Sequence, residues 1–492
     1  MQARASGILL PVFSLPGPYG IGTLGKSALQ FINFLADGKQ KFWQILPLVP
    51  PGGGDSPYMS ASSFAGNPLL LDLDLLQEEG LLTREELDSA RWNNPDRVDY
   101  AWLHQNREPL FRKAWDRGRE RYAPLLDKFL ADEADWLPDY ALFLALRAHF
   151  GGKVLADWPD EARLRKPEAM ERYRTELAEE CRYQAFLQLL FFRQWTAIKA
   201  YANSKGISII GDMPIYVSPD SAEVWSEPEL FQLEEDMTPS AVAGVPPDAF
   251  TELGQHWGNP LYDWDYHKKT GFAWWKRRGA QMARLYDVVR IDHFRAFHTY
   301  WSIPADAPDA RPGHWEKGPG FDLLDALKSV SGLALIAEDL GALEADALEF
   351  IEQSGLPGMK VLVFAFDPVG ESSYLPHNCP KDSIIYTGTH DTPTFVQWLF
   401  SEASPAERDY AFDYLRLRED EGFGWGAVCG AWMSPSRLAI APLQDLLGLG
   451  GDARINTPGS MGPHNWSWRV RAEALNPSVS GKLAKITRTY RR

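Results

Sequence analysis

Short apolar runs bounded by turn residues recur along the chain, most of them separated by stretches with helical periodicity. Eight runs read as strands: Gly7–Leu10, Trp43–Leu46, Ile207–Gly211, Val288–Asp292, Leu333–Glu338, Lys360–Phe366, Ser383–Thr387 and Arg454–Asn456. Between the first two, Ala28, Phe31, Ile32 and Leu35 mark one face of a helix over Ser27–Asp37, which stops at Gly38. Alternation of short buried strands with helices predicts an α/β fold, a (β/α)8 TIM barrel. The spacing is uneven. About 160 residues separate the second and third strands, far more than one helix needs. A helix-rich subdomain is therefore expected over about 51–200, with Asp139–Phe150 and Tyr183–Asn203 its clearest helices. A turn-rich loop insertion is expected over about 217–281, after the third strand, and a helical one over about 399–452, before the eighth. Only 36 residues follow Asn456, too few for a separate C-terminal β-domain, so residues 1–492 read as one barrel with insertions.

Four of these strands end in acids. Val288-Val289-Arg290-Ile291 runs into Asp292-His293. The run Ile207–Gly211 leads into Asp212, Leu333–Ala337 into Glu338-Asp339, and Ser383–Thr387 into Gly388-Thr389-His390-Asp391. Barrel enzymes carry their chemistry at the C-terminal ends of the strands. Arg290 and Asp292 share a strand face, since side chains alternate with period two, so the Arg charge is expected to hold that Asp ionised and aimed. An ionised, oriented carboxylate suits attack on a sugar carbon. Asp339 falls on the face opposite Glu338 and reads as a structural cap.

Charge narrows the partners. A net charge of −16 and a pI near 5.2 argue against nucleic acid or an anionic membrane, and fit a neutral substrate. No apolar run approaches the roughly 18 residues a membrane span needs. The three cysteines are far apart and odd in number, which suggests a reducing, cytoplasmic setting. The N-terminus shows no signal-peptide pattern. No metal-ligand spacing, dinucleotide fingerprint or phosphate-binding loop is visible, so no cofactor and no metal are expected. The 19 Trp residues are many, and their faces suit stacking on sugar rings as well as core packing.

Several longer motifs carry a resemblance. Asp55-Ser56-Pro57-Tyr58, Phe64-Ala65-Gly66-Asn67-Pro68, Gly211-Asp212-Met213-Pro214, Gly244-Val245-Pro246-Pro247-Asp248, the Gly254–Pro260 loop, Arg290–Arg295, Ala337–Gly341, Thr387–Asp391 and Asn465–Arg469 all lie between Leu10 and Arg469. With them the chain resembles the amylomaltase type of 4-α-glucanotransferase, glycoside hydrolase family 77. The resemblance implies disproportionation of α-1,4-glucans with retention, with maltooligosaccharides and α-glucans as donors and acceptors and glucose as an acceptor. It implies Asp292 as nucleophile, Glu338 as acid/base and Asp391 as the third carboxylate. It also implies sugar-binding roles for Ser56, Tyr58, Asp212, Gln255, Trp257, Arg290, His293, Asp367 and His390. In physical terms the two reacting carboxyls need split pKa values: Arg290 is expected to keep Asp292 charged, and nearby acids to raise Glu338. The Gly244–Pro260 loop, with Phe250 and Trp257, is expected to cover the cleft and exclude water. Ala249, Gly53 and Thr392-Pro393-Thr394 depart from the family pattern, while the aromatic Tyr100 is kept. The alternatives are an α-amylase-like hydrolase or a glucan phosphorylase on the same barrel, and a non-catalytic glucan-binding protein.

Overall fold

The structure is a computed structural model and describes residues 4–247, 251–341 and 343–492. Its twelve strands in chain order are β1 (Ala5–Leu9), β2 (Phe42–Gln44), β3 (Ser208–Met213), β4 (Ala241–Val245), β5 (Gln255–Pro260), β6 (Val288–Ile291), β7 (Thr299–Pro304), β8 (His314–Lys317), β9 (Leu335–Ala337), β10 (Gly358–Val361), β11 (Ser383–Tyr386) and β12 (Leu438–Pro442). Eight of them form one parallel sheet in the order β10-β11-β12-β1-β2-β3-β6-β9. The sheet curls until its edges meet. There Ala337 N–H donates to Pro357 O at 3.1 Å, and Asp339 Oδ1 accepts from Met359 N–H at 2.6 Å. The chain thus forms a (β/α)8 barrel, and Asp339 helps close it.

The strands are apolar on both faces, as in parallel sheets covered by helices. Their residues nevertheless divide by parity into two packed clusters. Ile8, Trp43, Ile209, Val289, Ala337, Ile385 and Ala439 pack outward with the helices. Leu9, Phe42, Ile210, Val288, Ile336, Ile384, Tyr386 and Ile440 form the other cluster, on the barrel's interior face. Continuing that second parity off the strand ends brings Asp212, Asp292 and Glu338 to the mouth of the barrel.

The eighth strand is Leu438–Pro442, not Arg454–Asn456; it pairs with both β1 and β11. Its two alanines and terminal proline weaken the strand signal, although all five residues are buried. It lies inside the span read as a helical insertion over 399–452, whose longer helices are Pro405–Leu415 and Phe423–Met433. The sixth strand is shorter than Lys360–Phe366 suggests, because a 3₁₀ turn takes over at Leu362–Phe364.

Between β2 and β3 the chain is helical, with Leu137–His149 and Ala178–Ser204 close to the helices expected there. The longest helix, Tyr100–Asp132, goes unseen in the pattern because Pro109 and Pro124 read as breakers. Asp99 caps it, accepting from Trp102 N–H at 2.9 Å. A second sheet was also hidden. β4, β5, β7 and β8 form an antiparallel sheet in the order β5-β4-β7-β8, built from the connections that follow β3 and β6. The motifs Gly244–Asp248 and Gly254–Pro260 read as loops because Gly, Pro and Asn dominate them, yet they contribute β4 and β5. Among the described residues no helix is long and apolar enough to cross a membrane.

Gly211 is required by packing. A Cβ there would come within 2.2 Å of the buried Tyr286 ring. Gly211→Ala should therefore destabilise the barrel by about 1–3 kcal/mol through overpacking. Urea unfolding followed by circular dichroism checks this, and an unmoved midpoint would contradict it.

Candidate active site

At the barrel mouth one guanidinium holds two carboxylates. Arg290 Nη1 donates to Asp212 Oδ1 and Oδ2 at 2.8 and 2.7 Å, and lies 2.9 Å from Asp292 Oδ1. The Arg290 and Asp212 side chains are 4% and 0% exposed, whereas Asp292 keeps 27%, so only Asp292 faces the opening. Tyr58, from the loop after β2, donates its hydroxyl hydrogen to Asp212 Oδ2 at 2.7 Å. That proton is then committed, so at the 2.9 Å contact between Tyr58 Oη and His390 Nε2 the imidazole must donate.

Glu338 is held by backbone. His293 N–H donates to its Oε2 at 2.8 Å and Leu340 N–H to its Oε1 at 2.7 Å. His293 sits in the left-handed region at φ 52°, which lets the chain turn directly after Asp292. Burial pushes the Glu338 carboxyl up to about 7; Arg290 opposes this and the Asp292 charge adds to it. Burial also pushes Asp292 up to about 6, against the pull of Arg290 and with a further push from Asp212 and Asp391. Burial raises both carboxyls, so Arg290 does not keep Asp292 low. The guanidinium is shared with Asp212, and burial outweighs what remains.

Asp391 behaves differently. Burial alone would raise it, but His390 and Asn456 bring it down to about 2. His390 Nε2 lies 3.2 Å from Oδ2, and Asn456 Nδ2 donates to Oδ1 at 2.6 Å. Although burial opposes it, the carboxylate raises the His390 pKa above its ordinary value, which favours an imidazolium–carboxylate pair.

Aromatic rings line the approach. Tyr58 stacks on His390 with centroids 5.4 Å apart and leans on Trp466 at 5.6 Å. Trp257 stands edge-on to His293 at 5.0 Å, and its Nε1 donates to Gln255 Oε1 at 3.1 Å. Burial lowers His293 to about 4, so its ring is neutral, and its buried Nε2 has no hydrogen-bond partner. Ser56 Oγ accepts from Tyr58 N–H at 3.2 Å and shapes that loop. Asp367 is exposed, and its Oδ1 accepts from Val369 N–H at 2.9 Å in a local turn. Tyr100 is buried and donates to Trp466 O at 3.0 Å, so its ring is not an exposed platform. Ala249 and Phe250 lie outside the described residues. Among the described residues no group of three or more His, Cys, Asp or Glu could hold a metal ion.

Sequence pattern does not single out Asn456 as the partner of Asp391. Its polar side chain beside an apolar run looks like the end of a strand. The separation of 65 residues leaves no local signal for the contact.

The profile of the family described as 4-alpha-glucanotransferase, glycoside hydrolase family 77, matches residues 10–475. The chain is 44% identical over 484 residues to a 4-alpha-glucanotransferase of Clostridium butyricum, covering 98% of this chain and 99% of that one. It is also 44% identical over 501 residues to that of Thermus thermophilus, covering 99% of each. The solved structure of the amylomaltase from Streptococcus agalactiae in complex with acarbose superposes with a TM-score of 0.96 at 43% identity, over 99% of both chains.

Proposed function

The chain belongs to the 4-alpha-glucanotransferase family, and from that premise we propose that it cleaves α-1,4-glucan bonds with retention and passes the glycosyl group to the 4-hydroxyl of another glucan or of glucose. The single observation that carries the division of labour is the pair Asp292 and Glu338. They come from neighbouring strands, one tied to a cation and the other to two backbone amides. Asp292 attacks C1 of the donor sugar. Glu338, protonated, gives its proton to the departing glycosidic oxygen, and a glycosyl ester forms on Asp292. Glu338, now ionised, takes the proton from the acceptor 4-hydroxyl as that oxygen displaces Asp292. Asp391, ionised and braced by His390 and Asn456, accepts hydrogen bonds from sugar hydroxyls and stabilises positive charge developing at C1.

Tyr58 and Trp257 supply apolar ring faces for stacking on sugars, and His293 Nε2 is placed for a sugar hydroxyl. Arg290 and Asp212 lie beneath these groups as positioning residues for Asp292 and Tyr58. Gln255 and Trp257 belong to β5, so the second sheet is the framework for this side of the cleft. The helical segment between β2 and β3 carries no residue of the acid cluster, and we assign it to shaping access. A cytoplasmic setting is supported by three free cysteines, Cys181, Cys379 and Cys429.

Asp292→Asn should lower transfer from maltotriose by roughly 10⁴-fold or more, as expected when an essential group is removed. A variant keeping a tenth of the activity would refute the assignment. The pH profile of kcat/KM should be a narrow bell. Activity falls as pH drops through about 6, where Asp292 takes up a proton. It falls again as pH rises through about 7, where Glu338 loses the proton it must donate. Glucose release measured across pH 4–9 checks this; a profile flat from pH 5 to 9 would contradict it.

A further inference from the structure

The segment after β12 carries the firmest hold on Asp391. The Arg454 side chain is 17% exposed, and its guanidinium points three ways. Nη2 donates to the carbonyl oxygen of Asp391 at 2.8 Å, and Nε donates to that of Asn456 at 2.8 Å. These same two residues are joined by Asn456 Nδ2 and Asp391 Oδ1 at 2.6 Å. Asn456 N–H also donates to His390 O at 3.0 Å. The third direction, Nη1, faces Glu402 Oε1 at 3.4 Å.

Glu402 ends a π turn over Trp398–Glu402, and its Oε1 also accepts from Gln397 Nε2 at 2.8 Å. Such turns are rare and cluster at functional sites. The base of the same loop is anchored separately. The buried Asp445 accepts from Thr387 Oγ1 at 2.5 Å and from Phe395 N–H at 2.8 Å. Asp445 therefore fixes where the loop leaves and rejoins the core, while Arg454 and Asn456 fix its tip, His390-Asp391.

We propose that Arg454 is a positioning residue for the transfer reaction: it clamps the Asp391 and Asn456 backbones together so that the Asn456 amide aims the Asp391 carboxylate at the sugar. The proposal rests on the assignment of Asp391 to the reacting site. Arg454 bonds the Asp391 backbone rather than its carboxylate, so it acts through another residue. A planar fork is needed to reach both carbonyls and Glu402 at once; an ammonium on a flexible stem cannot span them together. Loss of the clamp should loosen the tip while Asp445 keeps the loop base in place, so activity should fall without unfolding. A displacement of about 1 Å at such a group costs roughly 10²-fold in rate.

The test compares Arg454→Met, Arg454→Lys, Asn456→Ala and the Arg454→Met/Asn456→Ala pair. Each is measured for kcat and KM with maltotriose and for its urea midpoint. Arg454→Met should lower kcat by roughly 10²-fold with KM within about threefold and the midpoint unmoved, and Arg454→Lys should fall between it and wild type. In the Asn456→Ala background the same change should cost less than about fivefold, because one clamp serves both residues. Retention of kcat within about threefold by both Arg454 variants, or a full independent loss on top of Asn456→Ala, would overturn the proposal. Should Arg454→Met fail to fold, Arg454→Lys decides on the same kcat criterion. Asp391→Asn separates the two levels. If it stays active, the role of Asp391 itself is wrong; if it is inactive while the Arg454 variants are not, only the clamp is wrong.

Discussion

The site depends on one buried ion cluster, Arg290 between Asp212 and Asp292. Removing a guanidinium from water is costly unless its charge and donors are matched. The match is made by strand register: β3 pairs with β6 so that Asp212 lies directly opposite Arg290. β6 in turn pairs with β9 so that Ile291 lies opposite Ala337, which sets Asp292 beside Glu338. A slip of one residue in either ladder would turn the acids outward and strand the cation. The barrel's hydrogen-bond register and the geometry of the reacting groups are thus the same constraint.

That cluster also accounts for the distribution of charge. Asp212 takes two of the three contacts to Arg290 Nη1, which leaves Asp292 weakly neutralised and raised by burial. Glu338 has two amides but no cation bonded to it, and burial raises it as well. Asp391, with its own His390 and Asn456, drops. The carboxyls within one opening do not share one protonation behaviour, because each has a different set of neighbours: the reacting pair is raised while Asp391 is held ionised.

Much of this was legible in the sequence because barrel chemistry is local to strand ends. The runs ending in Asp212, Asp292, Glu338 and Asp391 carry their acids at fixed offsets from an apolar core, and period-two alternation separates Glu338 from Asp339. The family resemblance added Tyr58, Trp257 and the histidines. Features made by long-range pairing were not legible. The second sheet joins β4 to β7 through pairs 57 residues or more apart in sequence, and its strands are rich in turn formers. The helix Tyr100–Asp132 contains two prolines. Arg454–Asn456 resembles a strand locally, but its role comes from contacts to Asp391, which no local pattern encodes. Asp367, implied by the resemblance, caps a local turn, and that contact carries no sign of a sugar-binding role.

The central claim is that Asp292 becomes covalently glycosylated while Glu338 handles the proton. Its most direct measurement uses Glu338→Gln with α-glucosyl fluoride, a donor whose leaving group needs little acid assistance. Without its base the second step should stall, and mass spectrometry of the quenched protein should find one added glycosyl unit on a peptide containing Asp292. A label on Asp391 or Asp212 instead, or no label while the fluoride is still consumed at the wild-type rate, would contradict the account.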